Sequence, residues 1–214
     1  MTTQASTNRM SLSHTQASTF ERFAGLCAIL AGIVGFLYAV SFIILHNVLL
    51  SSLFLLLEGF LFIAVLTAVY QRLAATNTAF ALWAFLLSGG GALGTLIHGG
   101  YDLANALHPE ALNASLANAP SGIDPRGLLT FGLTGLGLLV ISWLIGRSNA
   151  FPRALSFLGY LAAALLIILY IARLIILTPS SQLIAIPALL SGFVVNPSWY
   201  LWLGFVLWRG QSNK

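Results

Sequence analysis

The sequence predicts an all-α membrane protein, a polytopic bundle of six transmembrane helices with both termini in the cytoplasm. Hydrophobic residues make up 58% of the 214 residues and charged residues only 7%, whereas soluble domains carry about a quarter charged residues. The mean hydropathy is +0.93, and several apolar runs approach the length of about 20 residues that a helix needs to cross a bilayer. The basic residues stand singly at the ends of these runs. This pattern indicates a lipid bilayer as the partner and excludes nucleic-acid binding.

Residues 1–20 are rich in Thr, Ser and Gln without apolar periodicity, which predicts a flexible polar tail. Residues 21–210 form the predicted transmembrane domain. Proline and asparagine are concentrated in residues 105–126, which predicts one long loop between the third and fourth spans. The six spans are expected at about 23–45, 49–70, 78–100, 127–145, 154–177 and 184–208.

The distribution of basic residues predicts the orientation of these spans. Arg126 and Arg173 fall on one side of the membrane. The other seven basic residues fall on the side of the two termini, namely Arg9, Arg22, Arg72, Arg147, Arg153, Arg209 and Lys214. Because Lys and Arg are retained on the cytoplasmic side, both termini are expected to be cytoplasmic.

Glu58 is the best candidate for a functional site, because it is a lone carboxylate in the apolar run 48–70. A charged side chain in hydrocarbon costs at least a few kcal/mol, so it usually has a partner, a water-filled cavity or a proton. We expect Glu58 to face the bundle interior, beside Asn196 or within reach of Arg173. A neutral Glu58 could relay protons, whereas a paired Glu58 would tie the second and fifth spans together.

Two further positions bear on this candidate site. Arg173 lies near the outer boundary, where it can snorkel to the surface or bend toward Glu58, with Tyr170 one turn below on the same face. Asn196-Pro197 resembles a helix start. The sixth span is therefore either kinked at Pro197 or built from two half-elements.

His98 and Asp102 form a second candidate site. They are four residues apart and share a face if the third helix continues through Gly99-Gly100. The pair could hold a metal ion or could simply cap a helix end at the interface, since two ligands without a third define no metal site.

Small residues follow helical spacing along the first span, at Gly25, Ala28, Gly32, Gly35 and Ala39. Such faces let membrane helices approach closely. They are expected to pack the bundle, or to form an interface with a second copy or another membrane protein.

The C-terminal part also carries a recognisable pattern over residues 124–210. It consists of Gly127-Leu-Leu-Thr-Phe-Gly132-Leu, Leu144-Ile-Gly-Arg-Ser, Phe151-Pro-Arg-Ala-Leu-Ser-Phe-Leu-Gly159, Tyr170-Ile-Ala-Arg-Leu, Pro187-Ala-Leu-Leu and Trp199-Tyr-Leu-Trp-Leu-Gly204. The pattern resembles a family of bacterial six-span membrane proteins classed as a domain of unknown function. The resemblance implies a six-span fold and the bacterial inner membrane, and it implies no activity.

The leading functional interpretation is a non-enzymatic integral membrane protein that binds or moves a small molecule near Glu58. One alternative is a membrane enzyme that uses Glu58 or the pair His98 and Asp102. Another is a structural subunit of a membrane complex. No motif in the sequence identifies a cofactor.

The predicted topology is testable with reporter fusions. A reporter fused at residue 116 should lie outside the cytoplasm and one fused at the C-terminus inside it, because seven of nine basic residues flank the terminal side. Reporter activity on the same side for both fusions would contradict the topology.

Overall fold

The computed structural model describes residues 2–108, 127–176 and 181–210, with side chains from Thr19 onward. This part of the chain is helical and contains no strand. Six of its helices are long and apolar enough to span a membrane, which confirms the predicted fold class. In chain order they are α1 (Thr19–Ile44), α2 (Val48–Ala74), α3 (Thr78–Leu107), α4 (Leu128–Arg147), α5 (Arg153–Ile175) and α6 (Gln182–Arg209).

The six helices form a closed ring. Each helix packs against the next one along the chain, and α6 returns to pack against α1. Gly25 near the start of α1 contacts Trp208 near the end of α6. The start of α1 and the end of α6 therefore lie together at what we call the terminal end, and the opposite end is the distal end. Which end faces the cytoplasm stays a prediction.

Short connections with side-chain caps keep successive helices antiparallel. Asn47 precedes α2 and its side-chain oxygen accepts a hydrogen bond from the Leu50 amide at 3.0 Å. Asn77 caps α3 in the same way, accepting from the Phe80 amide at 3.1 Å. Each cap satisfies a backbone donor that the first turn of a helix leaves without a partner.

Two helices differ in extent from the expected spans. The helix that contains α1 begins at Thr2, so residues 2–20 of the polar segment are helical, and the flexibility expected of this segment stays a prediction. Helix α3 continues through Gly99-Gly100 to Leu107. The loop predicted for 105–126 lies mostly outside the described residues.

The sixth span is one continuous helix with a π-helical turn at Ser191–Val195. Asn196 has helical dihedral angles (φ −65°, ψ −48°), so its expected role as a helix N-cap is wrong. Pro197 lacks an N–H group, and its ring would crowd the carbonyl four residues earlier in a regular α-helix. The wider π turn directly before it accommodates this proline without breaking the span.

The packed core lies in the terminal half of the bundle. Helices α1 and α3 contribute mainly alanines there, such as Ala28 and Ala84, which bring their backbones close to their neighbours. The largest buried side chains come from the other four helices and are Leu66, Leu73, Ile141, Leu144, Ile145, Leu155, Trp199, Leu203 and Leu207.

Helices α1 and α6 touch backbone to backbone. A Cβ atom on Gly25 would lie 2.6 Å from the Trp208 backbone nitrogen, and one on Gly204 would lie 2.8 Å from the Gly25 carbonyl oxygen. Neither position has room for a side chain. The small-residue face of α1 is therefore used within the chain to close the ring.

Helices α3 and α4 pack by a reciprocal exchange of small residues. The Ser88 hydroxyl of α3 lies against Gly137 of α4, and the Thr134 hydroxyl of α4 lies against Gly91 of α3. Both hydroxyls are buried without a hydrogen-bond partner in the described part of the chain. The two contacts fix how closely these helices approach.

A buried arginine joins four parts of the terminal end. The Arg72 side chain is 3% exposed, and its Nε donates to Glu21 Oε1 at 2.9 Å. Its Nη2 donates to Glu21 Oε2 at 3.3 Å and to the Val206 carbonyl at 3.5 Å. The guanidinium carbon lies 5.3 Å from the Phe151 ring centroid. Arg72 of α2 thereby links α1, α6 and the connection between α4 and α5.

The close contact between α1 and α6 makes Gly25→Ala destabilising. The added Cβ meets backbone atoms of α6 that no side-chain rotation can move, and overpacking of this kind costs about 1–3 kcal/mol. Gly89→Ala is the matched control, because a Cβ there would meet nothing within 4 Å. Thermal unfolding in one detergent compares the two variants. Equal stability of both would contradict the contact.

Candidate functional site

A cavity of about 670 Å³ occupies the distal half of the bundle. All six helices contribute side chains to its wall. Its floor is formed by members of the packed core, including Phe62, Leu138 and Trp199. At the distal end it reaches His46 and Ile184. A volume of this size matches that of pockets that enclose small organic ligands, roughly 300–1,000 Å³.

Glu58 faces this cavity from the middle of α2. Its carboxylate lies against Gly35 of α1, where a Cβ atom would be 3.2 Å from Oε1 and 3.4 Å from Oε2. The carboxylate therefore occupies the space that a side chain at position 35 would fill, and a larger residue there would push it aside.

Aromatic side chains share the cavity wall with Glu58. Tyr38 of α1 and Tyr200 of α6 line the same cavity and lie within electrostatic range of Glu58. Phe62 lies one turn below Glu58 on α2, and its ring meets the Tyr200 ring edge to face at 5.5 Å between centroids. The carboxylate is thus set in a largely apolar, aromatic wall.

Glu58 has no hydrogen-bond or ion-pair partner among the described residues. The contrast with Glu21 is direct, because that carboxylate is bound by two nitrogens of Arg72. A carboxylate at mid-bundle without a protein partner carries an uncompensated desolvation cost.

Arg173 lines the same cavity from α5, close to its distal end. Its guanidinium carbon lies 5.7 Å from the Phe131 ring centroid. The two charges share a cavity without forming a salt bridge within 4.0 Å.

Asn196 and Tyr170 differ in their relation to the cavity. Asn196 lines it, and its side-chain Nδ2 donates to Ser191 Oγ at 2.9 Å within α6. Tyr170 lies outside the lining, since its ring packs against Gly132 of α4, where a Cβ atom would be 3.2 Å from Cδ1. The structure thus brings Glu58, Arg173 and Asn196 together and leaves Tyr170 at a helix interface.

His98 and Asp102 are in contact beside the cavity. His98 Nε2 lies 3.3 Å from Asp102 Oδ2, and His98 Nδ1 lies 3.4 Å from Thr130 Oγ1, a residue of the cavity wall. In the described ranges, no group of three His, Cys, Asp or Glu residues could hold a metal ion. A metal site at this pair stays a prediction.

Three π-helical turns lie around the cavity, at Val40–Ile44, Leu128–Leu133 and Ser191–Val195. Each contributes lining residues, such as Phe42, Thr130 and Gly192. π turns inside helices occur frequently at functional sites. The apolar sequence of these segments contains no signal that could have located them.

No protein-family model, no curated protein and no solved structure matches this chain. The candidate site is therefore defined by its own geometry. The resemblance to the bacterial six-span family stays a prediction.

The different environments of the two acidic residues predict different responses to neutralisation. Glu58→Gln removes no protein partner and relieves the desolvation cost of the carboxylate, so it should not lower the free energy of unfolding. Glu21→Gln leaves the buried Arg72 guanidinium uncompensated and should cost about 3 kcal/mol. Unfolding in detergent by titration with a denaturing surfactant measures both. A cost for Glu58→Gln as large as that for Glu21→Gln would indicate that Glu58 has a structural partner.

Proposed function

We propose that this protein is an integral membrane protein that binds a small molecule in the distal cavity, with Glu58 as the group that recognises it. The observation that carries the proposal is the Glu58 carboxylate, which faces a cavity of about 670 Å³ without a partner among the described residues. A ligand group would supply the interaction that the protein does not.

The composition of the cavity wall supports this proposal. Most lining side chains are aliphatic or aromatic. The polar ones are His46, Asn47, Glu58, Thr95, Thr130, Thr134, Arg173, Ser191 and Asn196. Small-molecule sites commonly combine an apolar wall with a few polar groups that fix the orientation of the ligand. The walls come from six helices, so a relative movement of those helices would change access to the ligand, as transport requires.

The location of the protein is part of the same proposal. The bias of basic residues supports cytoplasmic termini, and the resemblance over residues 124–210 supports the inner membrane of a bacterium. In this orientation the cavity reaches the non-cytoplasmic end of the bundle.

The alternative interpretations have less support. An enzyme that uses His98 and Asp102 with a metal ion would require a third ligand, and the described residues offer none. A structural subunit that docks through the small-residue face of α1 would require that face to be free, yet Gly25 and Gly35 are covered by α6 and by Glu58.

Filling the cavity tests the proposal. Ala188 lines the cavity, and Ala188→Trp would place an indole ring in it. Ile186→Trp is the matched control, because Ile186 is exposed on the outer surface of the same helix. Native mass spectrometry of the purified protein should show small-molecule adducts on the wild type and on Ile186→Trp, and at least tenfold fewer on Ala188→Trp. Equal adducts on all three proteins would contradict the proposal.

A further inference from the structure

We infer that the ligand is a lipophilic organic cation, with its charged group at Glu58 and its apolar body against the cavity wall. This inference rests on the proposed function and names the chemical class of ligand. Three observations support it. They are the negative charge of Glu58 in the cavity, the aromatic rings in the same cavity wall and the position of Arg173, which carries the positive charge.

The charge at the centre of the cavity is a carboxylate. The carboxylate lines the cavity with one side packed against Gly35, and no described residue forms a hydrogen bond or an ion pair with its oxygens. A cationic group placed there forms the ion pair that Glu21 has with Arg72 and that Glu58 lacks. An anionic group at the same place would be repelled.

The rings beside Glu58 also favour a cation. Tyr38, Phe62 and Tyr200 line the same cavity as Glu58, and Phe62 lies one turn from it on α2. Aromatic faces attract cations within about 6 Å of the ring centroid, and the attraction grows when the cation is removed from water. The same rings provide an apolar contact surface for a hydrocarbon or aryl body attached to the charged group.

Arg173 does not reverse this preference. Its guanidinium is near the distal end, with its central carbon 5.7 Å from the Phe131 ring centroid, and it forms no salt bridge with Glu58 within 4.0 Å. Since Coulomb energy falls with distance, a cation in direct contact with the Glu58 carboxylate and farther from Arg173 is attracted by Glu58 more strongly than it is repelled by Arg173.

The inference is tested with two ions of closely similar size and shape and opposite charge, tetraphenylphosphonium and tetraphenylborate. Equilibrium dialysis of the detergent-solubilised protein measures the affinity for each ion, with empty micelles as the reference. The wild type should bind the phosphonium at least tenfold more tightly than the borate. Glu58→Gln should lose at least tenfold in phosphonium affinity, and Glu58→Asp, which keeps the charge, should retain most of it.

The possible outcomes separate this inference from the proposed function. Preference for the borate, or unchanged phosphonium affinity in a folded Glu58→Gln protein, overturns the cation class. If Ala188→Trp still abolishes binding in that case, the cavity remains a ligand site of another class. Binding of neither ion, together with equal adducts on the wild type and on Ala188→Trp, overturns both the cation class and the proposed function.

Discussion

The backbone contact between the first and last helices is the constraint on which the rest of this structure depends. Gly25 and Gly204 face each other at the terminal end, and neither position has room for a Cβ atom. Lipid provides no hydrophobic drive for helices to associate, so close contact must come from shape. By joining α6 to α1, this contact turns a chain of neighbouring helices into a closed ring. At the terminal end, small residues and large core side chains fill the interior of the ring. At the distal end, the ring encloses a cavity.

Arg72 and Glu58 both place a charged group inside the bundle, but their surroundings are opposite. Arg72 is held by Glu21, a backbone carbonyl and an aromatic ring, so its charge is compensated within the protein. Glu58 has an apolar cavity beside it and no comparable partner among the described residues. The first arrangement stabilises the terminal end, since removing one member of a buried pair is costly. The second leaves a carboxylate in the cavity without a protein partner, and this is the group to which we propose that a ligand binds.

Much of the fold and part of the candidate site can be predicted from the sequence. Six spans follow from length and composition, because a chain that crosses hydrocarbon must satisfy its own backbone hydrogen bonds, and a helix does so. Glu58 can be identified because it is a single charged residue in a long apolar run. The pair Arg72 and Glu21 cannot be predicted in this way, because the two residues are 51 positions apart and stand at span ends, where charges are ordinary. The continuity of the sixth helix also cannot be predicted, because the sequence Asn196-Pro197 is compatible both with the start of a helix and with the interior of one.

The π turn in α6 has a consequence for how this segment tolerates insertions and deletions. A π turn contains one residue more than an α turn, and one residue corresponds to about 100° of rotation around the helix axis. Deletion of one residue within Ser191–Val195 converts the π turn to an α turn, so the parts of α6 on either side keep the faces that they present to the cavity. The same deletion in the regular stretch after Pro197 would turn the distal part of α6 by about 100°, and Ala188 would leave the cavity wall. The cavity wall therefore tolerates a change of chain length at the π turn better than elsewhere in α6.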